Sequence, residues 1–181
     1  MTLAPRRSRS FGWQKLALSA ALSLAALSVS TSALAAPLTA GSALPTLTLK
    51  DQHDKPVAIP ADTRWVLFSG DKAVSDMVAG VLTAEPAGVM QRLHLVYVAD
   101  ISAMPGLVTR MFALPKMREL PYSLALVREK ADVAQIADLP RKPGAATLLQ
   151  LDNGRVTQVS AIASAAELRS ALQLPPAKTA P

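Results

Sequence analysis

The chain has 181 residues, 50% of them hydrophobic and 4% aromatic, with 19 Lys and Arg, 13 Asp and Glu and no cysteine. The absence of cysteine excludes disulfides, thiol chemistry and a lipid-modified cysteine at an export cleavage point. The net charge of +6 belongs largely to the first 35 positions, which hold four basic and no acidic residues; the remaining 15 basic against 13 acidic residues, in runs no longer than two, exclude a nucleic-acid interface.

Those first 35 positions read as a secretory signal peptide. Arg6, Arg7, Arg9 and Lys15 form a basic n-region, and Leu16 to Ser30 is an Ala/Leu/Ser run too short for a membrane span. Ala33-Leu34-Ala35 supplies a small-x-small cleavage site. The alternative is an uncleaved anchor helix, which the well-formed cleavage site disfavours. The Arg6-Arg7 pair raises twin-arginine export, but Pro5 and Ser8-Arg9-Ser10 fit that signal poorly. Sec-type export, cleavage after Ala35 and a periplasmic product without a membrane span are expected.

Residues 36–43 are a small-residue lead-in to a domain expected over 44–174. Leu44 to Lys50 alternates apolar and polar and predicts a strand; Asp51 to Lys55 is a turn cluster, and Val57-Ala58-Ile59 a short return strand. Trp65 to Phe68 predicts a buried strand that passes through Ser69-Gly70-Asp71 into a helix, with apolar residues at 74, 77, 78 and 81. That helix should end before Pro86. Ala87 to Arg92 predicts a short helix and His94 to Asp100 a second buried strand.

Pro105 suits the first turn of a further helix with Leu107, Val108, Met111 and Phe112 on one face, and Pro115 should kink or restart it. Tyr122 to Val127 predicts a third apolar strand. Lys130 to Asp138 is ambiguous, and Leu139 to Gly144 is a loop. Ala146 to Leu151, Asp152-Asn153-Gly154 and Arg155 to Val159 make a hairpin. A helix follows from about Ala165 with Ser164 and Glu167 as a capping box, Pro175 stops it, and 175–181 is a disordered tail. Strands alternating with helices predict an α/β domain: a central mixed sheet flanked by helices, with N-terminal and C-terminal β-hairpins.

This order resembles the thioredoxin-like superfamily in its peroxiredoxin/TlpA-type (AhpC/TSA-like) form. The match rests on GSALPTLTLKDQHDKPVAI, VLFSGDKAVSDMV, LVYVAD and ATLLQLDNGRV and spans about residues 41 to 173. The family's C-x-x-C falls, within a residue, on Ala73-Val74-Ser75-Asp76, so both redox positions are lost. Its cis-proline position falls on Ala146, and Pro143 lies three residues too early. The resemblance thus implies the fold without disulfide exchange or peroxide reduction. The pattern VADISAMP…MFALPKMR also resembles short exported proteins labelled FAD/FMN-containing dehydrogenases. The residues do not support that label, because no G-x-G-x-x-G follows a strand.

Strand-end loops of open α/β sheets converge on one edge. Asp71, Lys72, Asp100 and Ser102 are therefore the candidate binding residues, weighed against a helix cap and solvated charges. Ser75 lacks an adjacent base, as a serine nucleophile requires. His53, between Asp51 and Asp54, reads as part of a solvated turn rather than a metal ligand, and His94 as a strand-end residue. Met104, Met111 and Met117 would suit Cu(I), but their spacing favours core packing. Arg110, Lys116, Arg118, Arg141 and Lys142 form either a solvated face or a basic face for an acidic partner or anionic lipid. The expectation is a non-enzymatic binding or accessory module with no cofactor and no metal, engaging a protein or small-molecule partner. A flavin-linked oxidoreductase and a methionine-based copper-handling protein are the alternatives.

Overall fold

The computed structural model describes residues 36–176. The predicted signal segment (residues 1–35) and residues 177–181 of the predicted tail lie outside the described residues.

The chain opens with a hairpin of β1 (Leu49–Lys50) and β2 (Pro56–Val57). β3 (Trp65–Ser69) runs into α1 (Lys72–Thr83), and α2 (Val89–Leu93) runs into β4 (Leu95–Asp100). Helix α3 (Gly106–Val108) continues through a π-helical turn at Thr109–Ala113 into α4 (Leu114–Arg118). Then follow β5 (Ala125–Val127), α5 (Lys130–Gln135), β6 (Ala146–Asp152), β7 (Arg155–Ile162) and α6 (Ala165–Ala171). The strands form one mixed sheet in the order β2-β1-β5-β4-β3-β6-β7. β3, β4 and β5 are mutually parallel at its centre, and the hairpins flank them antiparallel.

Strand side chains alternate between the two faces, and the sequence fills both. Leu67, Leu95, Tyr97 and Leu148 pack on one face with α1, α2 and α6. Val66, Phe68, Val98 and Leu149 pack on the other with Ile136, Leu139 and Leu38. Strands buried on both sides read as continuous apolar runs, which is why β3 and β4 stand out in the sequence. α1 buries Val74, Val78, Val81 and Leu82, with Met77 partly covered at the core's margin.

Several elements differ from their predicted extents. Only Leu49–Lys50 of the Leu44 to Lys50 run pairs as a strand, and only Ala125–Val127 of Tyr122 to Val127. Alternating composition records which side chains face inward, not whether a neighbouring strand is in reach. Pro115 sits in the first turn of α4, where the α-helical form restarts after the π-helical turn. Its ring would press on the carbonyl four residues back, and the π-helical turn widens the backbone just there. Lys130 to Asp138 resolves into α5, whose first turn is closed by the Glu129 N–H donating to Asp132 (3.1 Å). Ser164 caps α6 by accepting from the Glu167 N–H (3.2 Å), while Glu167 reaches the Ala163 N–H (2.8 Å), one residue before the reciprocal partner a capping box uses. In the last hairpin Asn153 (φ 49) and Gly154 (φ 74) both take left-handed backbone, the two-residue turn that matches strand twist. The lead-in is tied down, with Leu38 buried and Gly41 donating to the Val156 carbonyl (2.7 Å). Among the described residues no helix is long and apolar enough to cross a membrane.

Candidate functional site

The carboxyl ends of β3 and β4 gather three of the four predicted residues around one hollow. Asp71 holds the N-cap position of α1, but its carboxylate does not cap that helix. Instead it accepts from the Gly144 N–H (2.9 Å), pinning the loop that precedes β6. Asp100 ends β4 with its side chain 8% exposed. One of its oxygens accepts from the Ser102 backbone N–H (3.0 Å) and hydroxyl (2.7 Å), and the other accepts from Arg141 (2.9 Å). The Arg141 guanidinium also lies 5.0 Å from the centroid of the Phe68 ring, in cation–π range. Lys72 is exposed and pairs with Asp76 one turn along α1. Asp71, Lys72 and Asp100 line a common cavity; Ser102 serves Asp100 and stays outside it.

That cavity, about 460 Å³, opens between α1 and the α3–α4 helix. Its walls are mostly apolar, with Ile101, Met104, Ala113, Met117, Leu120 and Leu124 among them. A chain of hydroxyls borders it. Ser75, in the first turns of α1, is hydrogen-bonded to the buried Ser69 (2.8 Å), which is hydrogen-bonded to Tyr97 (2.8 Å). Burial raises the Tyr97 pKa above its ordinary value, and the Ser69 and Ser75 hydroxyls offset only part of that rise. The phenol thus remains a neutral hydrogen-bonding group near pH 7 and cannot act as a base. Neither histidine is near. His53 is exposed in the β1–β2 turn, and His94 closes α2 with its ring 2.8 Å from Asp62. Ser75 therefore has no histidine beside it, and its hydroxyl is engaged by Ser69. Hollows of about 490 and 570 Å³ lie at the other end of β3, by Arg64 and Gln150. Ligands of open α/β sheets occupy the carboxyl side.

The remaining sequence candidates separate. Met104 and Met117 line the cavity and pack on the core, whereas Met111 is exposed on the outer face of its helix, so the three do not assemble a metal site. Among the described residues no three His, Asp or Glu side chains are grouped to hold a metal ion. The basic residues do not form one face. Arg141 is committed to Asp100, and Arg118 turns to the Gln52 carbonyl (2.9 Å) and to Asp54 (3.9 Å).

The turn from Asp51 to Lys55 is not simply solvated. Asp51 and Gln52 are buried, and they join the first hairpin to the segment leading into β5. Gln52 donates to the Tyr122 carbonyl (2.8 Å) and accepts from the Leu124 N–H (3.2 Å). Burial opposes the Asp51 carboxylate, but the Lys55 and His53 N–H groups and the Ser123 hydroxyl outweigh it and lower its pKa below the ordinary value. The Arg128 guanidinium beside Asp54 lowers that carboxyl's pKa as well.

No protein-family model matches the chain, and no curated protein matches it. Solved structures do. A candidate protein disulfide isomerase from Bacteroides thetaiotaomicron is 13% identical, over 77% of this chain and 89% of that one, with a TM-score of 0.52. A thio-disulfide isomerase from Thermus thermophilus is 19% identical, over 75% and 96%, with a TM-score of 0.48. A peroxiredoxin-like protein from Aquifex aeolicus is 12% identical, over 77% and 89%, with a TM-score of 0.49. The first of these similarities shows the fold: the chain has a thioredoxin-like fold, and it contains no cysteine.

Proposed function

We propose that the chain is an exported, periplasmic, redox-inactive thioredoxin-like protein that acts as a non-enzymatic binding or accessory module. Its ligand enters the cavity between α1 and α3–α4. The observation that carries this is the cavity's chemistry: mostly apolar walls, a hydroxyl chain from Ser75 through Ser69 to Tyr97, no thiol, and a Ser75 hydroxyl hydrogen-bonded to Ser69 rather than to a base. Such a lining suits an apolar body with one hydrogen-bonding end, the usual composition of a small-ligand pocket. Asp71 and Asp100 shape its mouth by holding the loops around it.

The test fills the cavity. Ala79 lines it from α1, and Ala79→Phe in the full chain should weaken binding of anilinonaphthalene sulfonate by about tenfold or more, with the far-ultraviolet dichroism unchanged. Phe112→Ser, at a position outside the lining, should leave that component intact. Equal dye binding by the wild-type and Ala79→Phe proteins would overturn the proposal. So would a purified protein that is yellow, with stoichiometric flavin absorbing near roughly 450 nm, and that outcome would favour the oxidoreductase alternative.

A further inference from the structure

The large apolar side chains exposed among the described residues all sit on one helix. Leu107 is 70% exposed, Phe112 67%, Met111 59% and Val108 43%. Thr109 and Leu114 face inward and hold the helix to the domain. None of the four exposed residues lines the cavity, so ligand binding there does not account for them. From Ile101 to Arg118 the sequence contains Arg110, Lys116 and Arg118 and no Asp or Glu. Arg110 and Lys116 are exposed, and neither joins an ion pair among the described residues.

Two features together select the occupant of this face. Leu107, Met111 and Phe112, each more than half exposed, project from the surface rather than line a groove, so whatever covers them must envelop them. Arg110 and Lys116 beside them are left without an ion-pair partner among the described residues, although Lys116 also borders the cavity, so the cover must supply anionic groups. A lipid layer with anionic headgroups meets both conditions. Apolar side chains enter the acyl boundary while Lys and Arg stems extend alongside them and leave their charges among the phosphates. We propose that the helical segment from Gly106 to Arg118 docks the domain on an anionic lipid surface, with Leu107, Met111 and Phe112 inserted and Arg110 and Lys116 at headgroup depth. The segment lies on the membrane and does not span it. This goes beyond cavity binding, and either can fail without the other.

The lack of cysteine makes a local test possible. In the full chain, Met111→Cys carries a polarity-sensitive fluorophore, and Gln158→Cys, at an exposed position on β7, carries the same one as a reference. With vesicles of phosphatidylcholine and phosphatidylglycerol the label at 111 should brighten and shift to the blue, while the label at 158 should not. Pure phosphatidylcholine vesicles should give neither change. Adding Arg110→Glu and Lys116→Glu to the Met111→Cys protein should weaken its vesicle affinity by about tenfold or more, since each basic residue near an anionic surface contributes roughly a fivefold factor. Unchanged dichroism checks that the charge variant is folded. Three results would overturn the proposal: no shift at 111, equal shifts at 111 and 158, or a shift at 111 that ignores lipid charge. A concentration-dependent shift at 111 without vesicles and none with them would also overturn it, by assigning the face to self-association.

Discussion

The turn at Asp51 to Lys55 and the strand-end edge at Gly70 to Lys72 are both short, aspartate-bearing and placed where one regular element gives way to the next, yet they do different work. In the turn, Gln52 is 1% exposed, and its side chain meets both the Tyr122 carbonyl and the Leu124 N–H. The Asp51 carboxylate meets two backbone N–H groups and the Ser123 hydroxyl. At the strand-end edge Asp71 and Asp100 are engaged in similar ways, with Gly144 in one case and Ser102 and Arg141 in the other. There, however, the ties surround about 460 Å³ of space bordered by Ser75 and Tyr97. Charged residues build the frame in both regions. Unfilled volume beside the frame makes one of them the candidate for the binding role proposed above.

The comparison is tested most strongly at Gln52. Gln52→Leu keeps the bulk but leaves a buried carbonyl and a buried N–H without partners. Each such loss costs about 1–3 kcal/mol, so unfolding in urea should show a loss of about 2–6 kcal/mol with an unchanged denaturant slope. Dye affinity at the cavity should not move. A loss below about 1 kcal/mol would mean that the turn is the solvated feature its composition predicts.

Acid exposes the same difference. Asp51 and Asp54 both have folded-state pKa values below the ordinary 3.8, Asp51 through N–H groups that outweigh its burial and Asp54 through the Arg128 guanidinium. The folded state therefore binds fewer protons than the unfolded chain over that range. Their contribution is complete above the unfolded value and is lost as pH falls below about 4 and through the folded values. Melting temperature should fall in that window, and Asp51→Asn with Asp54→Asn should flatten the fall. An equally steep fall in the double variant would move the acid sensitivity elsewhere.

What could be read in the sequence follows the range of the interactions. β3, α1, β4 and the Asn153-Gly154 hairpin were legible because doubly buried strands, helical valine spacing and a left-handed two-residue turn are written within a few positions of one another. The Asp71, Lys72 and Asp100 edge was legible from strand order alone. Its ties were not, because Arg141 lies 41 positions from Asp100 and Gly144 lies 73 from Asp71, and contacts of that span leave no local pattern. The hydroxyl chain was within reach. Alternation puts Leu67 and Ser69 on one face, and the register sets Leu67 against Tyr97. The outward face of the 106–118 helix was not, since helical spacing groups Leu107, Val108, Met111 and Phe112 without saying which way the group points.

The smallest effect is expected at Lys72, where the edge looks most like a site and contributes least to the frame. Lys72 and Asp76 are both more than half exposed. An exposed pair one helical turn apart contributes about 0.3–0.5 kcal/mol, because water screens the charges and two flexible side chains must be held in place. Lys72→Ala should therefore shift the urea midpoint barely beyond error. If recognition at the cavity is through its apolar walls and hydroxyls, dye affinity should change less than about twofold. A loss of tenfold would instead place an anionic group of the ligand beside Lys72, making the charge a recognition element and the edge, rather than the hollow behind it, the principal determinant of binding.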